Sequence, residues 1–322
     1  MVASVVTIPA FVSAQTPTPV TPPARPIPAV EHVFIISLDG LRPDKLLQAD
    51  APNLHALLKE GTYTMWARTT ALAITLPSHT SMVTGVTPEK HGITWNDDSR
   101  LDTFPPASYP TIMQLAHDAG YGSAMVAGKL KFSTLNRRDP QNPDPAKRET
   151  IDYVWLPPRT RTATPGSAYA KVDNDTVVRE AVQIIEAHKP ALMFIHFPDT
   201  DTVGHDQGWA SDAFLAAVKK TDGQIGTIFA AMTQADIRSS SVIIVTADHG
   251  GQGKTHGAGD ERSLNIPWII TGPGVRHGYD LTDNVPLVVH TEDTAATAAW
   301  LLGLKQPDYF DGKVVQAAFD KK

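Results

Sequence analysis

Read for its apolar and polar positions, the chain alternates short apolar runs with longer amphipathic stretches. Residues 33–38 (Val-Phe-Ile-Ile-Ser-Leu) run almost unbroken and are rich in β-branched and aromatic types, the pattern of a strand buried on both faces. Runs at 123–127, 192–196, 242–247 and 267–270 predict further strands, and 153–156 is strand-like. Helical spacing with start and stop signals predicts helices over 52–60, 110–119, 174–187, 209–235 and 292–302, with Gly61 and Gly120 closing the first two. Strands alternating with helices through short loops predict a mainly parallel sheet with helices on both faces, a three-layer α/β/α sandwich.

One further helix is predicted over 75–84. Thr75 reads as its N-cap, Pro77 suits the first turn, where a missing N–H costs nothing, and Gly85 fits a left-handed C-cap. A hydroxyl at that position faces the positive end of the helix dipole and free backbone N–H groups, a setting that attracts anions. Threonine is a poor nucleophile until a base or a metal takes its proton. Taken alone, Thr75 is an ordinary capping residue, so its meaning depends on what the rest of the chain brings to it.

Between 131 and 170 the periodicity breaks down into prolines, arginines and aspartates. A stretch this long without pattern reads as a cap-like insertion over a site. At the other end, residues 2–12 are mostly apolar, and Val12-Ser13-Ala14 before Gln15 has signal-peptidase spacing, though no basic region precedes it. Residues 1–14 are therefore expected to be the remnant of a signal peptide, 15–30 a Pro/Thr-rich linker and 31–322 the main folded domain. That makes the protein secreted or periplasmic. No other stretch approaches the ~18–20 apolar residues of a membrane span.

With 28 Lys and Arg against 34 Asp and Glu, the net charge of −6 gives no basic field for a nucleic-acid polymer. The absence of cysteine excludes disulfides, thiolate metal sites and a cysteine nucleophile. What the chain does carry is a set of carboxylates and imidazoles just after predicted strands: Asp39, the pair Asp201 and His205, the pair Asp248 and His249, then His256. Each has a dull reading as a turn or surface residue. If the strands are parallel, however, all of them gather on one edge of the sheet beside Thr75, where open α/β sheets place ligands. Such ligands suit Zn²⁺, and Mn²⁺ or Fe²⁺ as well.

Asp39-Gly40, Thr75-Leu76-Pro77-Ser78-His79, Thr84-Gly85 with Pro88-Glu89 and His91-Gly92-Ile93, Asp201-x-x-Gly204-His205 and Asp248-His249-Gly250 together resemble the type I phosphodiesterase/nucleotide pyrophosphatase family of the alkaline phosphatase superfamily. The resemblance covers roughly residues 31–304. It implies an alkaline-phosphatase-like sandwich with two zinc ions, one held by Asp201, His205 and His256 and the other by Asp39, Asp248 and His249. It also implies that Thr75 is both metal ligand and nucleophile and passes through a phosphothreonine intermediate. His256 follows His249 unusually closely for the family, so His277 and His290 compete for the last position.

Where the family usually has Phe and Asn, this chain has Leu76 and Ser78, which weakens the case for a nucleotide substrate. Leu76, Ser78 and Lys129 are the candidate substrate-binding residues, with Lys129 able to take over the phosphoryl contact. A formylglycine sulfatase is excluded, because Thr75 cannot yield the aldehyde. The expected function is a phosphodiesterase acting on a small phosphoester. The alternatives are a phosphomonoesterase on the same scaffold and a catalytically silent binding protein.

Overall fold

The apolar runs form the middle of one eight-stranded sheet. Its strands are β1 (His32–Leu38), β2 (Thr62–Arg68), β3 (Ser123–Ala127), β4 (Tyr153–Trp155), β5 (Leu192–Phe197), β6 (Ser241–Thr246), β7 (Asn265–Thr271) and β8 (Tyr279–Asp280), in the spatial order β4-β3-β5-β1-β6-β7-β2-β8. The structure, a computed structural model, describes residues 21–98, 101, 107–136, 150–158 and 172–320. The expected leader, the start of the linker and most of the 131–170 insertion lie outside them. Every residue of β1, β5 and β6 is buried, as continuous apolar runs require. A fully buried Ile or Phe in these strands contributes roughly 1.5–3 kcal/mol.

Between the strands run α1 (Pro43–Gln48), α2 (Pro52–Glu60), α3 (Thr75–Thr84), α4 (Pro88–His91), α5 (Ile112–Asp118), α6 (Asn174–His188), α7 (Asp199–Gln207), α8 (Asp212–Gln234), α9 (Glu261–Leu264) and α10 (Asp293–Leu301). α1, α2, α6 and α7 pack around α8, while α3, α5 and α10 pack on one another, which gives the two helical layers of the sandwich. Among the described residues no helix is long and apolar enough to cross a membrane.

Five of the seven strand pairings are parallel, so the mainly parallel expectation holds, but β7 runs antiparallel to both β6 and β2. This reversal matters for the site. The chain leaves β6 at the carboxyl edge, stays there through residues 247–264, and enters β7 from the same edge. β2 was absent from the sequence reading because its polar alternation, Thr-Tyr-Thr-Met-Trp-Ala-Arg, lacks a continuous apolar core and carries a register shift after Thr64. Gly61 closes α2 in an extended conformation, and it must be glycine because a Cβ would meet the Ile270 carbonyl oxygen at 2.1 Å.

α3 spans the expected residues, but Thr75 is not its N-cap. Ile74 is the N-cap in extended backbone, Thr75 is the first helical residue, and no side chain caps the end. Gly85 closes the helix in the left-handed region, at φ 71°, with its N–H donating to Ser81 O. α3 is buried along its whole length. The buried His91 fixes it from outside: Ile93 N–H donates to Nδ1 at 3.0 Å, so the ring proton sits on Nε2, 3.0 Å from Ser81 Oγ. Only the neutral ring makes both bonds, and burial pushes its pKa from 6.5 to about 4.

With the folded value below the unfolded one, the stability tied to His91 is complete above pH 6.5 and is lost as pH falls towards about 4. His91→Gln is therefore expected to flatten the pH dependence of unfolding free energy in that window by up to about 1.4 kcal/mol per pH unit. Denaturant melts of both proteins across the window measure it; an unchanged slope would show that His91 does not carry this proton.

Candidate metal centre

β5, β1 and β6 are adjacent and parallel, with Ser37 in register with His196 on one side and Thr246 on the other. Asp39 follows β1, Asp248 and His249 follow β6, and Asp201 lies in the helix that directly follows β5, so the three segments converge. The segment after β5 that carries Asp201 and His205 is helical, forming α7 with Pro198 as its N-cap. Asp199 and Asp201 occupy its first turn, where carboxylates complement the helix dipole. The spacing of Asp201 and His205 places both on one helical face, with His205 Nε2 3.3 Å from Asp201 Oδ1.

His249 Nε2 lies 3.3 Å from Asp39 Oδ1, 3.2 Å from Asp248 Oδ2 and 4.0 Å from Asp201 Oδ1. His256 Nε2 lies 3.7 Å from that same Asp201 oxygen, and its ring stacks on His249 with centroids 3.7 Å apart. Two groups have ligand atoms all within 4.8 Å of one another: Asp201, His205 and His256, and Asp39, Asp201 and His249. His277 and His290 are exposed and belong to neither group. The antiparallel return into β7 is what keeps His256 at this edge.

The donor chemistry fits divalent cations. Each imidazole has its Nδ1 on a backbone carbonyl: His205 on Lys254 O at 3.0 Å, His249 on Gly250 O at 2.8 Å and His256 on Ala73 O at 2.9 Å. An Nδ1–H held in this way leaves the Nε2 lone pair for a metal, the usual support of a ligating histidine. Ala73 adopts φ 46°, a left-handed conformation that costs an alanine roughly 1–2 kcal/mol, and its carbonyl is the one that accepts from His256. Burial and the neighbouring His256 push His249 down to about 4, and burial lowers His256 too. His205 goes the other way, raised by the Asp201 carboxylate 3.3 Å from its Nε2. Asp39 Oδ1, Asp201 Oδ1, Asp248 Oδ2 and His249 Nε2 are all buried without a hydrogen-bond partner. Oxygens and nitrogens crowded this closely without hydrogen-bond partners are costly to bury, and a cation among them offsets that cost.

Lys129 is the expected substrate-binding lysine, and its Nζ lies 2.6 Å from both Asp39 Oδ2 and Asp201 Oδ2, and 3.5 Å from Thr75 Oγ1. Burial opposes its charge, but Asp201 and Asp39 raise its pKa well above that of a free lysine. Burial likewise pushes Asp39 up and is outweighed by Lys129 and His196, which hold it well below the usual carboxylate range. For Asp248 burial and the Asp39 charge act together and raise it. His196, absent from the sequence reading, has its Nε2 2.8 Å from Asp39 Oδ2 while Gly128 N–H donates to its Nδ1. A histidine ending an otherwise apolar strand was the available signal.

Two of the expected substrate contacts, Leu76 and Ser78, have partners within the protein. Leu76 is fully buried in a small apolar cluster with Ile93 and Ala107, against Trp95, so its side chain is packing. Ser78 has its hydroxyl 2.9 Å from Thr70 Oγ1 and 3.1 Å from Thr69 Oγ1, which ties α3 to the end of β2. The N–H groups expected at the start of α3 are also reduced. Leu76 N donates to Asn96 Oδ1 at 3.0 Å, Pro77 has no N–H, and Ser78 N donates to Ile74 O. Asn96 thus stands at the helix start, and the sequence reading missed it because it follows the His91-Gly92-Ile93 motif by three residues in a segment without pattern. The motif residue His79 links Thr75 O, 2.8 Å from its Nδ1, to Ser37 Oγ, 2.8 Å from its Nε2.

Trp209 lies beneath all of this. A Cβ on Gly40, Gly204 or Gly251 would come within 3.3, 2.5 or 2.4 Å of its indole, and its Nε1 donates to Gly40 O at 2.8 Å. These glycines adjoin Asp39, His205 and the Asp248-His249 turn. The ring edge also meets His205 and His256, with centroids 5.0 and 5.7 Å apart.

This sheet, with carboxylate and imidazole groups along its carboxyl edge, defines the alkaline-phosphatase-like class of α/β proteins. Within that class the chain belongs to the type I phosphodiesterase / nucleotide pyrophosphatase family, whose profile matches residues 33–259. It is 25% identical over 232 residues to a venom phosphodiesterase of Macrovipera lebetinus, covering 68% of this chain and 25% of that protein. It is 24% identical over 250 residues to ectonucleotide pyrophosphatase/phosphodiesterase family member 3 of Mus musculus, covering 74% of this chain and 26% of the relative. The chain thus spans about a quarter of the length of these relatives. Murine ectonucleotide pyrophosphatase/phosphodiesterase 5, in an inactive form in complex with AMP, superposes with a TM-score of 0.70 at 16% identity, over 90% of this chain and all of that one. A 2-O GAG sulfatase shares the fold at a TM-score of 0.67 and 15% identity, covering 90% of this chain and 74% of that one.

Gly251 has ordinary backbone, so Gly251→Ala acts only through its clash with Trp209. It is expected to cost about 1–3 kcal/mol, as overpacked core positions do, and to reduce bound divalent metal. Thermal denaturation with metal quantification checks this; full metal content at wild-type stability would contradict the packing argument.

Proposed function

We propose that the chain is a metal-dependent phosphodiester hydrolase with Thr75 as its nucleophile. The observation that carries this is the position of Thr75. It is the first residue of a buried helix, its Oγ1 is 3.5 Å from the Lys129 ammonium, and that ammonium bridges carboxylates belonging to both ligand groups. Asp201, His205 and His256 would hold one divalent cation, and Asp39, Asp248, His249 and Thr75 the other. Zinc suits this donor set, as do manganese and ferrous iron. When bound, such a pair supplies positive charge to both the attacking and the leaving oxygen of an in-line displacement.

The chain's own residues do the positioning. His79 holds the Thr75 carbonyl, and so the nucleophile's backbone, against the end of β1. Thr75 Oγ forms a bond to phosphorus as the bond to the leaving-group oxygen breaks. Water entering from the opposite side then cleaves the phosphothreonine and restores the hydroxyl. Asn96, at the start of α3, offers its amide N–H groups to a phosphoryl oxygen, in place of the Leu76 N–H that it occupies. Lys129 is already balanced by Asp39 and Asp201, so it is not free for the additional charged oxygen of a monoester, which supports the diester reading. The relatives named for venom and as ectonucleotide enzymes support a secreted or periplasmic setting.

Thr75→Ala is expected to lower kcat/KM for an aryl phosphodiester by at least about 10³-fold while the remaining ligands retain most of the metal. Wild-type turnover in that variant would remove Thr75 from the chemistry. Comparing an aryl phosphate monoester with its methyl diester tests the substrate class, and a higher kcat/KM for the monoester would overturn the diester assignment. Chelation is expected to abolish turnover and lower the melting temperature, since ligands that bind only the folded state stabilise it.

A further inference from the structure

We infer that Lys131 is a positioning residue that sets the Asn96 carboxamide at the start of α3, an inference that rests on the phosphoryl-transfer reading of Thr75. Lys131 is only 9% exposed. A buried ammonium needs acceptors, and Lys131 finds them in one place. Its Nζ lies 2.7 Å from Asn96 O, 3.1 Å from Asn96 Oδ1 and 3.3 Å from Asp98 Oδ1. Both of its hydrogen bonds go to Asn96, and the Asp98 carboxylate holds the ammonium on that side as an ion pair. Lys131 therefore acts through Asn96.

What it does there follows from donor and acceptor types. The ammonium and Leu76 N–H are both donors, and both face the same Asn96 atom, so that atom is the carbonyl oxygen. The planar amide then directs its NH₂ away from both. Among the described residues no partner for that NH₂ appears. Residues 92–97 form neither helix nor strand, so local backbone structure does not hold Asn96 in place. Its side-chain angles are set by Leu76 N–H and by the clasp of Lys131 on its two carbonyl oxygens. A positive charge on the amide oxygen also polarises the group and strengthens its N–H donors. The turn that supplies this lysine, Leu130–Leu135, begins just after Lys129. One turn thus places one ammonium at the carboxylates and another behind the donor.

The test is a double-mutant cycle on the metal-loaded protein, read in two ways: kcat/KM for an aryl phosphodiester, and affinity for inorganic phosphate by calorimetry. Asn96→Ala is expected to cost about 10²-fold in kcat/KM and Lys131→Met about 10-fold. In the Asn96→Ala background Lys131→Met should cost less than about 2-fold, and phosphate affinity should show the same non-additivity. Lys131→Arg, which keeps the charge and the fold, should retain most of both. A full loss from Lys131→Met in the Asn96→Ala background would overturn the proposal, placing Lys131 on the substrate itself. No loss in the wild-type background, or an arginine variant as impaired as the methionine one, would also overturn it. If Thr75 is not the nucleophile, Thr75→Ala keeps its turnover while the phosphate cycle still reports on Lys131.

Discussion

The convergence of the ligand-bearing segments depends on one packing constraint, the close fit of Trp209 against three glycines. Gly40, Gly204 and Gly251 lie on three separate segments, and none has room for a Cβ above the indole. Gly40 is further restricted by φ 73°, a region glycine enters freely. The flat ring therefore sets how closely the ends of β1, β5 and β6 approach. Close approach costs these segments their side chains at three positions and gives the carboxylates and imidazoles beside them distances of 3–4 Å.

Distances that short create an electrostatic problem which the site answers in two ways. Lys129 balances one oxygen each of Asp39 and Asp201. The other oxygens face imidazole nitrogens whose protons have been directed to the opposite side of the ring by backbone carbonyls. Carbonyl placement thus decides which face of each histidine is basic. The strained Ala73 belongs to this arrangement, since its left-handed backbone accompanies the bond to His256 just before α3 starts.

The parts of this legible in the sequence were those with a strong local pattern. Runs of Val, Ile and Phe marked β1, β5 and β6, and a carboxylate or histidine after each marked the site. Elements whose character comes from tertiary contact were not legible. β2 is polar and half-exposed and is a strand because β7 lies beside it. α7 contains Thr, Asp and Gly, weak helix formers, and is held by Trp209 against Gly204. Leu76 and Ser78 looked like substrate positions because they stand where the family has Phe and Asn, but position in a motif does not show what a side chain meets: Leu76 lies in an apolar cluster and the Ser78 hydroxyl lies against Thr69 and Thr70. Asn96 and Lys131 were invisible because they are distant in sequence and meet only at the start of α3.

The indole that fixes the spacing of the centre is also its nearest chromophore. Trp209 is one of six tryptophans in the chain, and its edge touches both His205 and His256. Any change of charge on those imidazoles changes the field across the ring. Its emission therefore carries a continuous record of what the centre holds, written by the same contact that holds it together.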